Sequence, residues 1–292
     1  MADKSISVVV PFHNAERHLD RCAVGLLSQT YPESHYEIIM VDNNSTDRSA
    51  EVVERHPEIR LLRESKQGAY AARNRGVAAA QGQIIAFTDA DCVVAPDWLE
   101  KMSDALSEPG LELAQGGRLF AHDGLDLSLL AAYEAQRAAY IFSAQSVGLR
   151  SGYTNNMAVR RSAFDHCGPF EEVGRGADTL FVLRVIHEYG STEVVRYVGD
   201  ATIRHLEIDS VARWLSKRFI YGQSFERHYP VRSRTHRNLT PSEQADILRR
   251  TLDTNGYSRV EVLRLVALLT LGRYAFIAGR RSVRWRIGSR AK

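Results

Sequence analysis

An α/β architecture, with a mainly parallel central sheet flanked by helices and a basic helical region after it, is expected from three features. Apolar strand-like runs alternate with helix-like segments from Ile6 to Thr88, the order that builds parallel sheets through crossover helices. The fourth run ends in Asp89-Ala90-Asp91, at the carboxyl edge where α/β sheets present their ligands. The charge is divided along the chain. Residues 210–292 carry 18 Lys and Arg against 5 Asp and Glu, and the first 209 carry 20 against 30.

The elements follow in order. Ile6 to Val10 is rich in β-branched residues and ends in Pro11, and Leu19 to Leu27 has helical spacing. Tyr36 to Val41 is the second strand, closed by Asp42, and a helix is expected from about Thr46 to His56, opened by the capping residues Ser45 and Thr46. Ile59 to Leu62 is the third strand, Ala69 to Ala80 an Ala-rich helix, and Ile84 to Thr88 the fourth strand. Pro96 suits the first position of a helix that continues Asp97-Trp98-Leu99.

A chain of 292 residues, 44% hydrophobic, can bury one large domain, or one domain and an appendage. The three cysteines, Cys22, Cys92 and Cys167, are far apart and odd in number, which argues against a disulfide framework. Met1-Ala2-Asp3-Lys4-Ser5 lacks the basic-then-apolar order of a signal peptide, so a cytoplasmic protein is expected. The most apolar window, Leu265 to Gly272, is fenced by Arg264 and Arg273, which argues against a membrane-spanning helix. The expected boundary separates residues 1–208 from a basic helical region, 209–292. That region could meet anionic lipid, an anionic acceptor or nucleic acid. A solvated helical face docked on the acidic part accounts for the same charges.

Paired carboxylates at Asp89 and Asp91 are hard oxygen ligands suited to Mg²⁺ or Mn²⁺, which can hold nucleotide phosphates. They could also be turn formers or a helix N-cap. The turn after the first strand, Pro11-Phe12-His13-Asn14, has none of the glycines of a dinucleotide fold, and the chain has no G-x-x-x-x-G-K-[ST] loop. Asp42 ends the second strand, where an acid can accept hydrogen bonds from a base or ribose. Asp42-Asn43-Asn44-Ser45 reads equally as a turn with a helix cap.

Several segments stand in a specific order: Val8-Val9-Val10-Pro11-Phe12-His13-Asn14, Val41-Asp42-Asn43-Asn44-Ser45-Thr46-Asp47, Gly68-Ala69 with Ala72-Arg73-Asn74-Arg75-Gly76, and Thr88-Asp89-Ala90-Asp91 with Pro96-Asp97-Trp98. Asn156-Met157-Ala158-Val159-Arg160-Arg161 and Gly176-Ala177-Asp178 follow. Together they resemble the family 2 glycosyltransferases, whose nucleotide-sugar domain has the GT-A fold, over residues 5–205. The resemblance implies that Pro11 and Asp42 line a nucleoside pocket and that Arg73 and Asn74 lie near the donor. It implies that Asp89 contacts ribose or metal-bound water, and that Asp91, joined by the late His205 after an expected strand from Glu193 to Val198, ligates Mn²⁺ or Mg²⁺. His205 has a plain alternative as a structural histidine, and Arg73 and, more readily, Arg75 as helix-surface cations.

The same resemblance makes Asp178 the general base of an inverting, metal-dependent transfer from a nucleotide-diphosphate sugar to the hydroxyl of a sugar, lipid or small molecule. Phe181, Val182, Val185, Ile186 and Tyr189 share one helical face, and Asp178 falls on it a turn earlier. The helix N-terminus favours its ionised form, although Asp178 could serve only as a cap. Many members have Glu-Asp where this chain has Ala177-Asp178. Asn156, Arg161 and the segment around Tyr133 to Tyr140 are expected at the acceptor, although core and surface residues would look the same.

Parts of the chain fit other classes. Ile84 to Val93 also looks like the first motif of haloacid dehalogenase-type phosphatases, with Asp89 as nucleophile and Gly199-Asp200 as a faint later motif. No second acid stands at Ile203 or Arg204, and three strands precede the acids. Arg213, Lys217, Arg218, Arg227, Arg232, Arg234 and Arg237, interleaved with Trp214, Phe219, Tyr221, Phe225 and Tyr229, have the composition of a nucleic-acid surface. A non-catalytic binding protein would fit that reading, but nucleic acid is not the expected partner. Val260 to Ile277, followed by Arg280, Arg281, Arg284, Trp285, Arg286 and Arg290, suggests peripheral contact with an anionic membrane at its inner face.

Overall fold

Paired on both sides and covered on both faces, the first strand has no solvent side, which is why Ile6–Phe12 is an almost unbroken apolar run. The computed structural model describes residues 5–143, 147–232, 237 and 239–290. The first part of the chain runs β1 (Ile6–Phe12), α1 (Glu16–Leu27), β2 (Tyr36–Asp42), α2 (Ser49–Glu54), β3 (Ile59–Arg63), α3 (Ala69–Ala79), β4 (Ile84–Thr88), β5 (Cys92–Val94) and α4 (Trp98–Ser107). It continues with β6 (Leu113–Phe120), α5 (Leu125–Ser143), β7 (Asn156–Arg160), α6 (Arg161–Cys167), α7 (Ala177–Tyr189) and β8 (Val195–His205), and closes with α8 (Val211–Arg232), α9 (Pro241–Asn255) and α10 (Arg259–Arg290).

The strands form one sheet in the order β3-β2-β1-β4-β7-β6-β8-β5. Across β3, β2, β1 and β4 all pairings are parallel, as the alternation of the sequence expects. Beyond β4 the sheet turns antiparallel, at β4–β7, β7–β6 and β8–β5. In the parallel half, every strand delivers its C-terminal residue to one edge: Phe12, Asp42, Arg63 and Thr88. That edge carries the candidate site.

Three local expectations shift. Helix α2 begins at Ser49, because Ser45 and Thr46 do not cap it. Ser45 Oγ accepts the Asn14 N–H, and Thr46 donates to Asn14 Oδ1, so both residues tie the β1–α1 turn to the β2–α2 loop. Pro96 precedes α4 by two residues, and its carbonyl accepts the Thr30 N–H. Strand β8 runs on to His205 itself, well past Val198, because its far end pairs with β5.

Two compact units make up the chain: residues 1–118 with 150–206, and residues 119–149 with 207–292. In the second, Phe120, Leu127, Leu130, Ile208, Trp214, Leu265 and Leu268 form a core. Helices α8 and α10 meet backbone to backbone at two glycines. A Cβ on Gly222 would collide with the Phe276 carbonyl, and one on Gly279 with the Phe219 carbonyl.

Within these helices two aromatic residues of the basic segment are packed away. Trp214 and Phe225 are buried, and their faces are taken by Arg218 and Arg280, so they offer no platform for base stacking. Arg234 lies outside the described residues, and of Arg227, Tyr229, Arg232, Arg284, Trp285, Arg286 and Arg290 only the backbone is described. Helix α10 also revises the membrane reading. By length and composition Arg259–Val283 could cross a bilayer, and only 22% of its most apolar window is buried.

Candidate active site

The tight connection from β4 to β5 projects Asp89 and Asp91 from the carboxyl edge, with the Cys92 N–H donating to the Asp89 carbonyl at 3.0 Å. Helix α3 supplies the counter-charge. Arg73 is buried, donates from Nη2 to Asp89 Oδ1 at 2.5 Å, and stacks its guanidinium 5.2 Å from the ring centroid of Tyr70. Its Nε is buried with no hydrogen-bond partner among the described residues. Arg75, two residues on, is exposed, as its reading as a surface cation expects.

The antiparallel β5–β8 ladder builds the second pair. It aligns Cys92 with His205, and the Leu206 N–H donates to the Asp91 carbonyl at 2.7 Å. His205 Nδ1 therefore stands 3.6 Å from Asp91 Oδ2. Two ligands each about 2.1 Å from one ion can be that far apart, so an imidazole and a carboxylate here fit Mn²⁺ or Mg²⁺. Cys92 Sγ lies in the same cluster. Burial, with Asp91 and Asp89 nearby, pushes its thiol well up, and it donates to Asp91 Oδ1 at 3.4 Å. A protonated thiol is not a ligand for a hard cation.

On the other side of the edge, β1 and β2 lie in register with Phe12 beside Asp42 and Pro11 beside Val41. Asp42 is buried and its Oδ1 accepts the Ser45 N–H at 2.9 Å, which fixes the carboxylate in a turn. Asn43, not singled out in the sequence, organises the neighbouring loop. Its amide donates to the carbonyls of Glu64 and Lys66 and accepts the Gly68 N–H at 2.7 Å. Gly68 takes φ 139°, a conformation glycine adopts freely, and opens α3.

Helix α7 starts behind Gly176, which is left-handed at φ 93° and has no side chain to cap with. Asp178 is its second residue, and its Oδ1 accepts the Thr179 N–H at 2.8 Å. The Tyr70 hydroxyl, reaching from α3, accepts the Gly176 N–H at 3.3 Å and the Asp178 N–H at 3.4 Å. Burial and the Asp178 charge push the Tyr70 phenol up, so it stays protonated at neutral pH. Ala177, where many members have Glu, is fully buried. Asn74 turns to the loop before α7, exchanging hydrogen bonds with Phe170 and donating to Glu172. Lys66 pairs with the same Glu172.

Two of the residues expected at the acceptor, Asn156 and Arg161, hydrogen-bond within the fold. Asn156 is fully buried, accepts the Trp98 Nε1–H at 2.7 Å and donates to the carbonyls of Gly117 and Ala201, so both its amide protons are taken. Arg161 donates to the carbonyls of Gly82 and Ala80, both at 2.8 Å, and anchors the entry to β4. Tyr133 and Tyr140 lie on α5, in the second unit, half-buried, and Tyr140 stacks under Arg250. Tyr70 and Asn43 escaped the sequence reading. For Tyr70 the available signal was its place one turn before Arg73 and Asn74 on the same helical face.

A mixed sheet with acids at the carboxyl end of its parallel half, and an acid at the start of a later helix, is the layout of a GT-A-type domain. The Glycosyl transferase family 2 model matches residues 7–168, and the chain belongs to that family. Glycosyltransferase AglE of Haloferax volcanii is 33% identical over 172 residues, 56% of this chain and 55% of that protein. Beta-monoglucosyldiacylglycerol synthase of Nostoc sp. is 30% identical over 183 residues, 57% of this chain and 38% of that protein. The chain thus spans about half or less of the length of these relatives. Among solved structures, mannosyltransferase PcManGT from Pyrobaculum calidifontis, in complex with GDP-Man and Mn²⁺, has a TM-score of 0.65 at 18% identity, covering 96% of this chain and 87% of that one. S. aureus TarS 1–349 in complex with UDP-GlcNAc has a TM-score of 0.54 at 17% identity, covering 97% and 92%. The fold is GT-A.

Proposed function

We propose that this chain transfers a sugar from a nucleotide-diphosphate sugar to an acceptor hydroxyl, using a divalent cation and inverting the anomeric carbon. The observation that carries this reading is the pairing of Asp91 with His205 at 3.6 Å beside the Asp89–Arg73 ion pair, in a family 2 chain. The complexes of GDP-Man and Mn²⁺ with PcManGT and of UDP-GlcNAc with TarS support the donor class.

In this reading Pro11 and Asp42 hold the nucleoside, and Asp91 and His205 would hold Mn²⁺ or Mg²⁺. When bound, the ion stabilises the negative charge that develops on the departing nucleoside diphosphate. Asp89 orients the ribose side of the donor while Arg73 keeps its carboxylate in place. Asp178 takes the proton of the acceptor hydroxyl. A carboxylate at a helix N-terminus is a weak base, so proton transfer accompanies bond formation and contributes about 10²–10⁴ in rate. The departing oxygen leaves from the face opposite the incoming hydroxyl, which gives inversion.

Asp178→Asn should keep donor affinity and lose transfer, and turnover by that variant equal to the parent's in a nucleotide-release assay would refute the base. A thermal-shift screen with UDP-glucose, UDP-N-acetylglucosamine and GDP-mannose, with and without Mn²⁺, tests the donor class, since a ligand specific for the folded state raises stability. The phosphatase alternative has less support. Asp200, the acid of its faint later motif, is 72% exposed on β8 and paired with Lys101. Phosphate release from simple phosphomonoesters would revive it.

We assign the transfer chemistry to the N-terminal part, up to residue 208, and membrane contact at the cytoplasmic face to the basic helical region, 209–292. Val260 and Leu263 are each 71% exposed on α10, Leu271 51% and Tyr274 67%. Their spacing keeps them along one side of the helix, with Arg273 and Arg281 exposed beside them. Glu261, Arg264 and Arg273 argue for a helix lying in the interface over one that spans it. Flotation with phosphatidylglycerol vesicles should recover the full chain, and Leu263→Glu/Leu271→Glu should stay at the bottom of the gradient.

A further inference from the structure

We propose that Tyr70 is a positioning residue that holds Asp178 in its working orientation relative to the acids of the donor site. The proposal rests on Asp178 being the base, and it goes beyond it by naming what aims the base. Three observations converge on one side chain.

The first is an unusual cap. The opening N–H groups of a helix need acceptors, and a Ser, Thr, Asp or Asn at the N-cap commonly supplies one. Gly176 cannot, and the phenol oxygen of Tyr70 takes its place, accepting from both Gly176 and Asp178 across a sequence separation of about a hundred residues. The backbone of the base is therefore held by a residue from another helix. Its carboxylate is held in turn by the Thr179 N–H, so the cap and the side-chain orientation are set together.

The second is the other face of the same ring. Tyr70 lies under the Arg73 guanidinium at 5.2 Å, and Arg73 grips Asp89 at 2.5 Å. Asp89, Arg73, Tyr70 and Asp178 are thereby linked by direct contacts. The third is rigidity around the link. Tyr70 is buried against Phe170 at a ring separation of 5.8 Å, and Gly152 lets the chain before β7 approach the Asp178 carbonyl so closely that a Cβ would clash. A tyrosine whose only task was to fill space would not need its hydroxyl on the base's own N–H.

The test is kinetic. The full chain, Tyr70→Phe, Asp178→Asn and the double variant are assayed for nucleoside diphosphate release with Mn²⁺, using whichever of UDP-glucose, UDP-N-acetylglucosamine and GDP-mannose the parent turns over fastest. Tyr70→Phe keeps the ring under Arg73 and loses only the acceptor oxygen. Its kcat should fall about 10- to 100-fold, the scale of a small misplacement of a catalytic group, with donor KM within about twofold of the parent. The double variant should be no slower than Asp178→Asn alone, because the hydroxyl acts through the carboxylate.

Parent-like kcat in Tyr70→Phe, with Asp178→Asn inactive, overturns the positioning role and leaves the base intact. Full turnover by Asp178→Asn overturns both. A loss in Tyr70→Phe that appears wholly in donor KM also overturns the proposal. Tyr70→Ala is the control for folding: removal of the ring should raise donor KM as well, and the contrast with Tyr70→Phe separates packing from the hydroxyl's role.

Discussion

Arg73 Nη2 and Asp89 Oδ1 stand 2.5 Å apart, with the arginine side chain 6% exposed and the aspartate 34%. A buried cation thus meets a carboxylate that still faces solvent. Without the arginine, Asp89 and Asp91 would stand one residue apart with no nearby cation from α3. Arg73→Met should lower unfolding stability by about 1–3 kcal/mol, less than for a fully buried pair because water screens the Asp89 side. Urea unfolding of the two proteins checks the figure, and donor affinity should fall with it.

His205 and Asp91 predict a metal dependence with two separate strengths. Dialysis against EDTA should abolish nucleotide release, and Mn²⁺ should restore it. Asp91→Ala should lose detectable Mn²⁺ binding by calorimetry, whereas His205→Ala should weaken it about tenfold or more while leaving the carboxylate in place. Unchanged Mn²⁺ affinity in His205→Ala would remove the histidine from the ligand set.

Helices α8 and α10 touch through Gly222 and Gly279, each against a carbonyl of the other helix. Backbone cannot yield as a flexible side chain does. Gly222→Ala and Gly279→Ala should each cost about 1–3 kcal/mol through overpacking, despite the gain in helix propensity. Thermal unfolding gives the sign directly, and a stabilised variant would mean that the two helices can separate freely.

Acid should weaken the second unit through Glu243. Arg237 donates to both its carboxylate oxygens, at 2.9 and 2.8 Å, and the Thr240 N–H adds a third bond, which together hold its carboxyl down at about 2. In the unfolded chain the group returns to its ordinary 4.5. Its contribution is therefore complete above pH 4.5 and is lost as the pH falls toward 2. Glu243→Gln should flatten the stability profile over that window, which thermal unfolding at a series of acid pH values will detect.

Where the candidate residues fall in the fold was largely legible from local pattern. Asp42, Asp89 and Asp91 each follow an apolar run, and a residue after a parallel strand must emerge at the carboxyl edge. Asp178 was legible because the apolar face of α7 shows which side is inward. Asn156 allowed two readings because a polar residue opening a strand looks the same whether it meets a ligand or, as here, Trp98 and two carbonyls. Ser45 and Thr46 were misread for a similar reason: good capping residues bind whichever backbone comes within reach, and here that is the turn at Asn14.

The amino-acid sequence alone determined the parallel half of the sheet, the acids at its edge and the division of charge, since periodicity and strand order are local properties that any chain segment carries with it. The tertiary structure decided which distant groups meet. The antiparallel β5–β8 ladder brings His205 to Asp91, a buried tyrosine on α3 caps the helix of Asp178, and residues 119–149 group with 207–292. Such meetings depend on long-range packing, in which each contact is conditional on the whole core and has no signature in neighbouring residues.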